Sequence, residues 1–96
     1  MFHAPESPYR VPFDGSFRIA SSPTTPPGDG PDEEELKDRL RASVKKLDRL
    51  QRRLYADNRW GVLLVFQAMD AAGKDSTIRA VLRGVNPQGC QVFSFK

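Results

Sequence analysis

Apolar residues recur near a 3.6-residue period at Leu36, Leu40, Val44, Leu47, Leu50 or Gln51, and Leu54, which is the spacing of one face of a helix. Asp32 ahead of Glu33, Glu34 and Glu35 supplies an N-cap with an acid three residues on, and Pro31 ends the segment before it. Asp57-Asn58 marks the stop. The stripe covers only about three heptads, so packing against a sheet is expected rather than a coiled coil. The pattern then changes. Val62-Leu63-Leu64-Val65-Phe66 is continuously apolar, as a strand buried on both faces would be. Helical spacing returns at Ile78, Val81, Leu82 and Val85. Gly84 is expected to end this second helix in a left-handed cap, and Pro87 blocks its continuation. Gln91-Val92-Phe93-Ser94-Phe95 reads as a second strand. Strand, helix, strand in this order predicts a parallel pair with a right-handed crossover. The expected class is therefore α/β, one strand-helix-strand unit preceded by a long helix.

Residues 1–31 hold seven of the eight prolines, a composition that disfavours both ladders and helices. An extended or disordered arm is expected there, with residues 32–96 forming the N-terminal part of a larger domain. Tyr9, Val11, Phe13, Phe17 and Ile19 alternate in places and suit an arm lying along the body of the complete protein. No internal repeat is evident.

Charge adds little to this division. The net charge is +3, with the basic excess between Lys37 and Arg59. A basic surface attracts polyanions, but Asp38, Asp48 and Asp57 are interspersed and aromatics are not interleaved as base-stacking platforms. A solvated helix face is the favoured reading, and nucleic acid is not expected as a partner. No apolar run approaches the roughly 20 residues of a membrane span, and the N-terminus lacks a secretory pattern. Cys90 is the one cysteine, which fits a reducing, cytoplasmic setting and a small core residue.

Candidate chemistry lies in Gln67-Ala68-Met69-Asp70-Ala71-Ala72-Gly73-Lys74-Asp75-Ser76-Thr77. A small-residue turn with Gly-Lys, between an apolar run and a helical pattern, has the layout of a phosphate-binding loop. The first amides of a helix lack partners and carry the positive end of its dipole. Small residues let the backbone curl around a phosphate, and lysine adds a point charge. Ala71, Ala72, Gly73, Lys74, Asp75, Ser76 and Thr77 are the candidate phosphate-binding residues. The pattern G-x-x-x-x-G-K-[ST] is not fully met: Ala68 replaces the first glycine and Asp75 the hydroxyl residue. Asp70 reads either as a helix N-terminal acid favoured by the dipole or as the anchor of magnesium bridging phosphate oxygens. Ser76 or Thr77 would add a hydroxyl contact. Ligands bind at the carboxyl ends of parallel strands, and Ser94-Phe95-Lys96 would share that edge. Lys96 faces the substrate there or is simply an exposed lysine.

Residues Phe66 to Lys96 resemble the second family of polyphosphate kinases, most closely the branch that phosphorylates AMP or ADP from polyphosphate. Met69-Asp70-Ala71-Ala72-Gly73-Lys74-Asp75, the turn Gly84-Val85-Asn86-Pro87-Gln88-Gly89 and Ser94-Phe95-Lys96 carry the resemblance. Arg53-Leu54-Tyr55-Ala56 and, more weakly, Tyr9-Arg10-Val11-Pro12 add to it. Ala68 agrees with that branch, whereas Ser76 stands where glycine is often found. The resemblance implies a P-loop kinase-like parallel sheet and in-line phosphoryl transfer between polyphosphate and AMP or ADP. Lys74 and Asp70 would be catalytic, with Asp70 holding Mg2+. Family members are a few times longer than 96 residues, so the chain is expected to be an N-terminal piece. The second magnesium aspartate, the arginines on the transferred phosphate and the helical lid would lie outside it. Oligomeric state stays open, a homo-oligomer of the full-length protein being one option. Two other readings remain: an ATP-dependent nucleotide kinase on the same fold, and a non-catalytic remnant that binds a partner.

Overall fold

The computed structural model describes residues 3–26 and 28–95. The chain divides into two units, Met1–Gly30 and Pro31–Lys96. In the first, the hydrogen bonds are local. Ser16 N–H donates to Asp14 Oδ1 at 2.9 Å, and Arg10 pairs with Glu6 at 3.0 Å. A 3-10 turn spans Ile19–Ser21, closed by Ser22 Oγ–H donating to the Arg18 carbonyl at 2.6 Å.

The second unit is built on helix α1, Glu33–Asp57, and helix α2, Lys74–Leu82. Both ends of α1 have a chemical cause. Asp32 Oδ1 accepts from Glu35 N–H at 2.8 Å, satisfying one of the free amides of the first turn. Three glutamates in that turn complement the dipole. At the far end Asn58 adopts the left-handed region at φ 56°, and its N–H reaches the Leu54 carbonyl at 3.2 Å. Asparagine tolerates that conformation because its short polar side chain bonds locally. Ion pairs of Lys37 with Glu33 and of Arg39 with Glu35, each at 2.7 Å, run along the helix. Exposed pairs of this kind contribute at most about 1 kcal/mol each.

The expected α/β class is not what forms. Among the described residues there is no strand and no sheet, and the class is helical. Residues 61–69 and 90–95 run without regular structure. No backbone hydrogen bond of 62–66 or 91–95 is made among the described residues, and Leu63 and Val65 are 87% and 81% exposed. The physical reason is that a helix closes its bonds within its own segment, whereas a strand exists only through a neighbouring ladder. Apolar runs announce a wish for burial and not the partner that would supply it. The parallel pair, its crossover and the argument from strand carboxyl ends fall with the sheet. The reading of Lys96 lies outside the described residues.

Helix α2 also ends differently from expectation. Its last turn closes through Arg83 in the right-handed region, and Gly84 is not at positive φ. Gly84 is required by space instead. A Cβ there would stand 2.6 Å from Val44 Cγ1 of α1, far inside van der Waals contact. Val85, buried at 8% exposure, follows directly. Asn86 Oδ1 accepts from Gln88 N–H at 3.2 Å and opens a 3-10 turn at Pro87–Gly89. Gly89 lies directly against the Gln51 side-chain amide and near Tyr55. Helix α1 thus receives both α2 and the turn that follows it.

Candidate functional site

Residues 68–76 line a cleft of about 290 Å³. It is formed by one continuous segment, the turn that leads into α2. Ala72 N–H donates to the Met69 carbonyl at 3.2 Å, closing a four-residue turn around Asp70 and Ala71. Ala71 stands at φ 61° and Gly73 at φ 89°. Two left-handed residues separated by one bend the backbone into the concave form that gathers N–H groups. Glycine takes such a φ freely, but alanine does so against its Cβ.

Helix α2 begins at Lys74 with Gly73 as N-cap. Its first internal bond is Thr77 N–H to the Gly73 carbonyl at 2.9 Å. The amides of Gly73, Lys74, Asp75 and Ser76 have no acceptor among the described residues. Gly73 has no side chain to cap them, so the positive end of the helix is left open. Lys74 adds a second positive charge at that end, against the dipole. Its ammonium is 3.9 Å from Asp75 Oδ1, and Asp75 is 86% exposed, so this pair contributes little. A cationic helix N-terminus with free amides is stabilised by an anion.

Most sequence-selected residues therefore come together: Asp70, Ala71, Ala72, Gly73, Lys74, Asp75 and Ser76 all line the cleft. Thr77 does not. Its hydroxyl donates back to the Gly73 carbonyl at 2.9 Å, which leaves it lone pairs but no free proton. Ala68 and Met69 also line the cleft; the sequence places them in the loop segment but not among the candidate phosphate-binding residues. Nor was the positive φ of Ala71 visible, since alanine ordinarily avoids it.

The family model for polyphosphate kinase 2 matches residues 30–96. The chain belongs to the polyphosphate kinase 2 family. This member of the polyphosphate kinase 2 family is 70% identical over 57 residues to an ADP-polyphosphate phosphotransferase of Rhodopseudomonas palustris, covering 59% of the chain and 20% of that relative. It is 44% identical over 89 residues to an AMP/ADP-polyphosphate phosphotransferase of Meiothermus ruber, covering 91% of the chain and 33% of that relative. The chain thus spans between a fifth and a third of the length of these curated relatives. No solved structure matches it. No described helix is long and apolar enough to cross a membrane.

Proposed function

We propose that residues 68–76 are the phosphate-binding loop of a polyphosphate-dependent nucleotide phosphotransferase. The activity is transfer of a terminal phosphoryl group between polyphosphate and AMP or ADP. The observation that carries this is the open N-terminus of α2, where Lys74 and four amides without an acceptor among the described residues belong to the lining of one cleft. The names of both relatives pair polyphosphate with an adenine nucleotide, which selects the substrate class. The loop amides and Lys74 hold and orient the phosphate that is transferred. Such reactions depend mainly on positioning and on neutralising charge.

Asp70 is the residue of this chain suited to magnesium. No group of three or more metal-ligating side chains gathers among the described residues. A cation here would be held by Asp70 together with phosphate oxygens and water, a manner of binding usual for magnesium. Bound magnesium would supply neutralisation of the phosphate charge. The cytoplasm, where nucleotides and polyphosphate meet, is the compartment this reading requires.

The test is phosphoryl transfer with polyphosphate or ATP as donor and AMP or ADP as acceptor. In the full-length protein, transfer from polyphosphate that Lys74→Ala abolishes is the expected result. Transfer from ATP alone, or full activity in the variant, would overturn the reading. Tripolyphosphate titration of the chain, read at the amides of Gly73 to Ser76, examines the loop separately from turnover.

A further inference from the structure

We propose that Asp48 is a positioning residue for the phosphate loop. It seats the turn after α2 on α1 and so fixes where the Lys74 end of α2 stands. This rests on reading residues 68–76 as a phosphate loop.

The contact is singular. Asn86 N–H donates to Asp48 Oδ1 at 3.0 Å across 38 positions of sequence. Every other side-chain hydrogen bond among the described residues joins partners at most six apart. Asp48 is 24% exposed, and its second oxygen, Oδ2, accepts from Arg52 Nε–H at 3.1 Å. One carboxylate thereby anchors a turn on one side and its own helix on the other. The neighbouring contacts follow the same stripe of α1. Gly84 abuts Val44 and Gly89 abuts Gln51 and Tyr55, while Val85 between them is buried. Positions 44, 48, 51 and 55 share one helix face, and that face receives residues 84, 86 and 89.

Helix α2 transmits the seat to the loop. It has nine residues and is about 14 Å long at a rise of ~1.5 Å per residue. A tilt of about 10° at the seated end displaces the other end by roughly 2 Å over that length. A shift of about 1 Å in a reacting group is enough to cost on the order of a hundredfold in rate. The amides and Lys74 thus owe their place to a carboxylate outside the lining of the cleft.

The experiment titrates the 15N-labelled chain with tripolyphosphate. It follows the amides of Gly73 to Ser76 and the exchange protection of the Asn86 amide. Asp48→Ala should expose the Asn86 amide and lower the apparent affinity about tenfold, as when the competent arrangement is populated a tenth of the time. The circular dichroism of α1 should be unchanged. Asp48→Asn keeps an acceptor oxygen and restores both signals. Arg52→Ala removes the ion pair alone and leaves both as in the parent. Gly84→Ala lifts the same turn from Val44 with Asp48 intact and should reproduce the loss. Parent affinity in Asp48→Ala or Gly84→Ala, with Asn86 unprotected, overturns the positioning role. Failure of the parent chain to bind tripolyphosphate through these amides overturns the phosphate-loop reading itself, and this proposal with it.

Discussion

Ala71 occupies the third position of the turn closed by Ala72 N–H and the Met69 carbonyl, at φ 61°. A type II turn asks for glycine or asparagine there. Holding an alanine in the left-handed region costs about 1–2 kcal/mol, while glycine would surrender roughly 0.5–1 kcal/mol more chain entropy. The balance favours Ala71→Gly by about 0.5–1 kcal/mol, and Ala71→Val should lose more than alanine does because its branched carbon crowds that region further. Local opening free energies from hydrogen exchange at the Ala72 amide check the order Gly above Ala above Val. The reverse order would mean that the turn takes another form in solution. Asp14 offers a pH-dependent test. Its carboxyl sits below the usual carboxylate range, first through the Ser16 hydroxyl and then through the Ser16 backbone amide, both donating to it. A lowered pKa stabilises the turn above the ordinary value and withdraws that support as pH falls through the folded one. An NMR titration of Asp14 should therefore have its midpoint below that of a model aspartate, and Ser16→Ala should raise it.

Helix α1 meets the turn after α2 where Gly84 abuts Val44, and a methyl group added at Gly84 has no room. Overpacking of this kind costs about 1–3 kcal/mol. Gly84→Ala should destabilise the pair by that amount, and Val44→Ala in the same chain should return much of it by opening space. The coupling in the double-mutant cycle measures the contact; strictly additive effects would show that the glycine matters for another reason. The same two helices show what could be read from sequence. The ends of α1 were legible at Asp32 and Asn58 because capping is local chemistry among neighbours. The seat was not, because Asp48 bonds across 38 residues and Gly84 answers to a side chain on α1. One signal was present: Asp48 and Gln51 are polar residues on the otherwise apolar face of α1. Gln51 Oε1 is buried without a hydrogen-bond partner among the described residues. The cleft was legible because one continuous segment lines it, while Val62 to Phe66 and Gln91 to Phe95 needed neighbours that the pattern does not name.

Those two runs govern how the whole chain meets water. Val62, Leu63, Leu64, Val65, Val92, Phe93 and Phe95 are all exposed. A soluble protein rarely leaves contiguous apolar surface of this extent bare, since each Å² withheld from burial forgoes about 25 cal/mol. The run before the loop offers an apolar surface to any apolar probe. The chain should therefore enhance the fluorescence of anilinonaphthalene sulfonate strongly. Leu63→Lys with Val65→Lys should reduce that signal several-fold and leave the far-ultraviolet circular dichroism of the helices unchanged, because neither residue lies in α1 or α2. A loss of helicity in the double variant would show that this run packs on the helices. An undiminished dye signal would move the apolar surface elsewhere, to Tyr9, Phe13 and Ile19 in the first unit. Either result bears on the loop, since Phe66 and Gln67 lead directly into the turn that holds Asp70. A run free in water leaves that entrance mobile, and α2 is then held in place from its far end alone, by the seat on α1.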